Sequence, residues 1–199
     1  MNGAKISKRT TIVVRYLCIS VWLGVVFTGI GSYILYPHEF SAEGIAAFLL
    51  RFNTEIWVVY LLMSALRGIS LLPSTPLVLA GTILFPQQPF SVLAVSLAGV
   101  VISSSMIFLF SEHLGLSDYF SSHKPELSER IRQKLDRPSG LVFTAAWAFF
   151  PLVPTDLVCY LAGTAKMNYL KFIFAIFVGE SILCTFYIFL SRPVINSLF

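Results

Sequence analysis

Hydrophobic positions along this chain come in long runs rather than in short alternating stretches. Residues 16–36 and 68–111 contain no charged side chain. A helix crossing a bilayer needs about 20 mostly apolar residues. That length predicts spanning helices over residues 11–36, 89–110 and 169–191. The last carries Glu180 near its centre. Within residues 89–110, Ser91, Ala94, Ala98 and Ser105 form a small-residue face suited to close helix packing. Residues 37–55 are polar and partly amphipathic and are expected at the surface. In residues 112–137, Leu127, Ile131 and Leu135 recur every fourth position among charges after Pro125, the pattern of an amphipathic helix on the membrane surface.

Two further apolar stretches, residues 56–88 and 139–168, are broken by prolines. The first reads Leu71-Leu72-Pro73-Ser74-Thr75-Pro76 and runs on to Ala80-Gly81-Thr82. The second reads Phe149-Phe150-Pro151-Leu152-Val153-Pro154 and runs on to Ala162-Gly163-Thr164. Shared elements in one order mark an internal repeat. Proline removes a backbone donor and ends a helix, so each copy is read as two short helices. Residues 77–85 would rise about 14 Å and residues 141–150 about 15 Å, roughly half a hydrocarbon core. Each copy is therefore expected to form a re-entrant hairpin, its broken backbone shielded from lipid by protein or a wet cavity. The fold class expected is an all-α membrane protein of one domain, residues 1–199. Three spanning helices, two re-entrant hairpins in an inverted repeat and amphipathic surface helices make it up.

Charge supports this arrangement. With both hairpins re-entrant, four Lys/Arg near the N-terminus, five in residues 124–137, and Lys166 with Lys171 face one side. That puts 4 + 5 + 2 = 11 of the 14 basic residues there, leaving Arg51, Arg67 and Arg192 on the other. Basic residues collect on the cytoplasmic side, so the N-terminus is expected in the cytoplasm. If both stretches crossed, the split would be six against eight. The isoelectric point near 9.1 is thus topological and indicates no nucleic-acid partner. Mean hydropathy of +0.80, with 56% hydrophobic and 12% charged residues, exceeds what one soluble core can bury. The apolar run at 16–36 is too long for a cleaved signal, so it is read as a retained helix. Cys18, Cys159 and Cys184 lie in apolar runs without paired spacing, which points away from disulfides and zinc.

The two Pro-x-x-Pro segments with their Ala-Gly pairs, followed by Phe172 and Gly179, resemble the DedA superfamily, also called the VTT or SNARE-associated family, nearest its TVP38-like branch. The resemblance covers residues 67–180. It implies paired re-entrant hairpins and movement of lipids between leaflets: undecaprenyl phosphate or phospholipid transport in bacteria, scrambling in eukaryotes. The chain departs from the family pattern in two places. Pro73-Ser74-Thr75-Pro76 lacks the acid usual after the first proline, and Ala148 stands where an arginine often precedes the second.

Candidate chemistry is sparse. Glu180 costs on the order of 3 kcal/mol to insert at a helix centre and must face the bundle interior, for transport or for a structural hydrogen bond. Asp156, beside Thr155 at the start of a half-helix, is either a dipole-favoured cap or part of a substrate site. Arg67 either snorkels or partners a lipid phosphate or an acid. Pro73, Ser74, Thr75, Pro76 and Gly81 in one hairpin, with Pro151, Pro154, Thr155, Asp156 and Gly163 in the other, are expected to aim half-helix N-termini at an anionic head group. Trp22, Trp57 and Trp147 read as packing or interfacial anchors. His38, His113 and His123 read as solvated, and no catalytic, cofactor or metal motif is present. The expected function is a non-enzymatic transporter or scramblase of phospholipid or polyprenyl-phosphate lipids. It would sit in a cell membrane, the inner membrane if the source is bacterial, with membrane lipids bearing anionic phosphates as partners. Alternatives are a proton-coupled carrier of a small ion or solute, or a non-transporting scaffold. Self-association stays open.

Overall fold

The computed structural model describes residues 2–113, 125–151 and 153–198. Lys124 and His123 lie outside these, as do the side chains of Leu127 and Arg192. Every regular element among the described residues is a helix: α1 (Asn2–Leu35), α2 (Ala42–Leu49), α3 (Ile56–Leu66), α4 (Thr75–Leu84), α5 (Pro89–His113), α6 (Pro125–Leu135), α7 (Pro138–Phe149), α8 (Thr155–Thr164) and α9 (Tyr169–Leu198), with 3-10 turns at Leu50–Glu55 and Arg67–Ser70. Among the described residues, four stretches are long and apolar enough to cross a membrane: Leu17–Leu35, Ala42–Ser70, Pro89–Ser111 and Tyr169–Ser191. The all-α membrane architecture predicted by the hydrophobic runs is the one observed. The second stretch was not among the three spans expected, and it is kinked at Asn53, where the backbone takes φ 38° and ψ −101°.

The two proline-broken stretches form equivalent units, α3-break-α4 followed by long α5, and α7-break-α8 followed by long α9. Contacts along α5 give their directions. Tyr60 of α3 bonds Ser96 at 2.7 Å, Ser64 meets Gly99, and Gly68 meets Ser103, so α3 descends alongside α5. Gly81 of α4 then returns to Tyr60 and Val92, which closes a hairpin with its tip level with the middle of α5. In the second unit, a Cβ at Gly179 of α9 would meet Ala145 and Ala148 of α7. Asp156 lies beside Gly68, and Gly163 reaches Ser111 and Phe108 near the end of α5. The second hairpin therefore runs along the other half of α5, and the two tips meet at its middle. Packing is exchanged between units. α3 and α8 lie on α5, while α7 and α4 lie on α9.

Proline placement explains the breaks. Pro76 sits in the first turn of α4, where its missing N–H costs nothing, and Pro138 does the same for α7. Side chains bond to carbonyls at both breaks: Arg67 Nη1 donates to the Leu72 carbonyl at 3.3 Å, and Trp147 Nε1 to the Pro154 carbonyl at 3.3 Å, which also accepts from Leu157 N. Before the first break a 3-10 turn, Arg67–Ser70, ends at Leu71 in the left-handed region (φ 58°), with Leu72 N bonded to Arg67 O and Leu71 N to Gly68 O.

Three expectations are corrected. The small-residue face proposed for α5 is rotated: Ser91, Ala94 and Ala98 are exposed, and Val92, Ser96, Gly99 and Ser103 pack instead. Part of the stretch expected at the surface is α2, which lies on α4 and buries Ile45, Ala46 and Leu49, one apolar stripe at helical spacing. Leu135, placed on a surface helix, enters the core cluster with Phe108 and Phe172, with Ile131 packed beside it.

Candidate functional site

The two hairpin tips enclose a small cavity of about 80 Å³. Its walls are Leu72, Pro73, Ser74 and Thr75 from the first break, and Phe150, Pro151, Val153, Pro154, Thr155 and Asp156 from the second, closed by Arg67 and Leu183. The sequence repeat is thus a spatial pair. Pro73, Ser74 and Thr75 of one segment and Pro151, Val153 and Pro154 of the other face one space, and α4 and α8 both begin at its edge.

Its charge comes from both units. Arg67 is 8% exposed and Asp156 2%, and their Nη1 and Oδ2 atoms stand 3.5 Å apart. Arg67 is thereby a partner for an acid rather than a snorkelling residue. Asp156 makes no side-chain cap of α8 and spends one oxygen on the arginine. The adjacent Thr155 donates its hydroxyl to Glu180 Oε1 at 2.7 Å, and Cys184 Sγ lies 3.9 Å from Oε2. Glu180 is fully buried and stands behind Thr155, outside the cavity wall. One cation and two carboxyl groups therefore form a chain across the two units, a costly arrangement at this depth unless the groups compensate one another.

Two groups absent from the sequence reading complete the cluster. A Cβ on Gly68 would collide with Ser103 Oγ, and would stand 2.7 Å from Ile107 Cδ1 and 2.8 Å from Asp156 Oδ1. Only glycine lets the turn carrying Arg67 lie this close to α5 and Asp156. Ser103 is 1% exposed and its hydroxyl has no hydrogen-bond partner. The adjacent serines Ser103-Ser104-Ser105 were the available signal, but their relation to Gly68 depends on the register of α3 against α5.

The remaining expected residues separate. Pro76 lines a different space, and Gly81 and Gly163 are contact points of α4 with Tyr60 and of α8 with Ser111. A Cβ at either would sit inside a neighbouring side chain or carbonyl. The Ala-Gly-Thr part of the repeat is therefore where half-helices pack, while Pro73, Pro151 and Pro154 of its Pro-x-x-Pro part line the cavity.

Pro76 belongs to a larger apolar groove of about 440 Å³ between α1, α2, α3 and α4, lined by residues including Tyr33, Phe40, Phe48, Met63, Leu66 and Leu77. Arg67, Leu72 and Pro73 line this groove and the polar cavity alike.

The VTT domain matches residues 72–192, more than half of the chain. The chain belongs to the VTT domain family. The match begins at the first break and runs through α9, so it contains both cavity-forming Pro-x-x-Pro segments, Asp156 and Glu180, whereas Arg67 lies just before it. Membership agrees with the DedA resemblance and with a multi-pass membrane protein. No curated protein and no solved structure matches the chain.

Proposed function

We propose that this VTT protein moves lipids with phosphate-bearing head groups, phospholipid or polyprenyl phosphate, between membrane leaflets, as a transporter or scramblase rather than an enzyme. The observation that carries the reading is the shared wall of Arg67, Leu72 and Pro73. A hydrocarbon chain in the apolar groove would place its head group at a guanidinium and beside the start of α8, whose positive dipole end favours an anion. The groove's largely apolar lining favours a lipid over a soluble ion or solute. In this reading the N-terminus is cytoplasmic, the hairpins enter from opposite faces, and the protein is nearest the TVP38-like branch.

The test is transbilayer movement of fluorescent phospholipid and of a polyprenyl phosphate in liposomes containing the purified protein. Movement above that of protein-free liposomes, lost in Arg67→Ala, is expected. Unchanged movement with and without protein for both lipid classes overturns the proposal.

A further inference from the structure

Leu135 is buried in the core cluster and Ile131 packs beside it, so one apolar stripe fixes α6 on the bundle. Arg130 and Lys134 each precede a residue of that stripe, which sets them about 100° round the helix from it, one turn apart and exposed. Arg137 follows, also exposed, at the bend into α7. Among the described residues no acid pairs with these three. Glu129 is taken by Arg132 at 3.8 Å and by Gln133 at 3.1 Å, and Asp136 Oδ1 accepts the Asn168 N–H at 2.9 Å. Lys171 adds a further cation nearby, its Nζ donating to the Asp136 carbonyl at 2.8 Å. The same bonds set the depth: Asn168 stands immediately before the Tyr169–Ser191 span, so the end of α6 lies at the edge of the hydrocarbon, level with lipid head groups. A Cβ on Gly140 would collide with the Lys134 and Leu135 carbonyls, so α7 starts pressed onto this end of α6.

We propose that Arg130, Lys134 and Arg137 bind the phosphate of an anionic phospholipid resident in the leaflet on the α6 side, and that this lipid fixes the foot of the second hairpin. Unpaired cations flanking an apolar stripe at head-group depth match a layer of anionic phosphodiesters, and each Lys or Arg near such a surface adds its own attraction. Long basic side chains suit the position, since their stems can lie on hydrocarbon while the charged ends stay among head groups. Depth favours lipid over an acidic segment of another protein, which would have to enter the head-group layer to reach them. The foot is held through the backbone: the Arg137 carbonyl accepts the first bonds of α7, from Gly140 N and Leu141 N, so fixing Arg137 fixes where α7 enters the bundle. None of the three residues lines the polar cavity or the apolar groove, which separates this lipid from any moved through the hairpins.

The experiment is native mass spectrometry of the full chain in detergent, offered equimolar phosphatidylglycerol and phosphatidylcholine with the same acyl chains. The parent is expected to retain phosphatidylglycerol over phosphatidylcholine by about fivefold or more, less as salt is raised. Arg130→Gln/Lys134→Gln/Arg137→Gln should retain the two alike, whereas Lys5→Gln/Lys8→Gln/Arg9→Gln, which removes the same charge elsewhere, should keep the preference. In nanodiscs, amide exchange across residues 138–144 should be slower in phosphatidylglycerol than in phosphatidylcholine for the parent and equal for the α6 variant. Equal retention by the parent would leave the stripe to an acidic protein segment and overturns the proposal. A preference that survives in the α6 variant or is lost equally in the N-terminal one, or exchange in the parent that ignores the lipid, overturns it too. Should the α6 variant not fold, Lys134→Gln against Lys8→Gln decides.

Discussion

Arg67 and Asp156, 89 positions apart in the chain, bring Nη1 and Oδ2 to 3.5 Å and join the tip of one hairpin to the tip of the other. Each is almost fully buried, so each is the other's compensation for lost hydration. Removing one partner strands a charge, and such losses run to about 3–5 kcal/mol. Arg67→Ala and Asp156→Ala should each lower the unfolding temperature in detergent, whereas Arg67→Met combined with Asp156→Leu should recover much of the loss. Additive losses in the double variant would show that the two side chains act separately.

Gly68 sets how closely that pair can form. An added methyl would meet Ser103 Oγ, Ile107 Cδ1 and Asp156 Oδ1 together. Gly68→Ala is expected to cost about 1–3 kcal/mol through overpacking. Since Ser103 Oγ is the nearest obstacle and has no hydrogen bond to lose, Ser103→Ala should be nearly neutral alone and should partly rescue Gly68→Ala. A double-mutant cycle on unfolding free energies reads the coupling, and independence of the two sites would contradict the geometry.

Glu180 and Thr155 offer a cleaner separation of fold from function. Glu180→Gln retains an oxygen that accepts from Thr155 Oγ1, so stability should change little. Glu180→Leu leaves the threonine hydroxyl unsatisfied inside the bundle, at about 1–3 kcal/mol. If the carboxyl serves transport, Glu180→Gln should lower lipid movement in liposomes at unchanged thermal stability. Parent-like movement in Glu180→Gln together with loss of stability in Glu180→Leu would leave Glu180 a purely structural role.

Much of this site was legible before any coordinates. Arg67, Asp156 and Glu180 stand out because charge in apolar runs is expensive, and the paired Pro-x-x-Pro segments announce broken helices. What sequence could not supply was contact between distant elements. Asp156 reads locally as a helix cap, and only the meeting of hairpin tips reveals that Arg67 claims it. Gly68 and Ser103 look ordinary because their importance lies in the register of α3 on α5. The same limit displaced the packing face of α5 by one position: small residues mark both a lipid-facing and a buried stripe, and Ser91, Ala94 and Ala98 fell on the exposed one. The partly amphipathic character of residues 37–55 was legible, but eight residues of α2 gave no sign that the apolar stripe would lie on α4.

Hairpin geometry makes a topological prediction. Gly81 returns to the level of Tyr60, so α3 and α4 begin and end at the same end of α5. In a background lacking Cys18, Cys159 and Cys184, single cysteines at Gln87 and Lys134 should react with an impermeant reagent from opposite faces of the membrane. A cysteine at His38 distinguishes the route of residues 42–84. With a re-entrant first hairpin it labels from the same face as Gln87. Labelling from the face of Lys134 would mean that this region crosses.

The prolines of the second break carry the sharpest functional consequence. Pro151 and Pro154 line the cavity, and Pro154 precedes α8, whose first bond runs from Leu157 N to the Pro154 carbonyl, so the N–H groups of Thr155 and Asp156 stand ahead of the helical ladder. Alanine at both positions removes the bar to a continuous helix and restores donors to the backbone, so residues 138–164 can run on as one segment. Continuation would draw those N–H groups into the helix and carry Thr155 and Asp156 away from Glu180 and Arg67, undoing both bonds of the cluster. Insertion should survive, since alanine is the better helix former and adds no charge. Lipid movement should fall at least about tenfold, the size expected when two hydrogen-bonded contacts are lost from a site. The decisive measurement compares Pro151→Ala/Pro154→Ala with the parent at equal protein density in the same liposomes. Lipid phosphates crossing at the parent's rate would show that the broken backbone is no part of the substrate path.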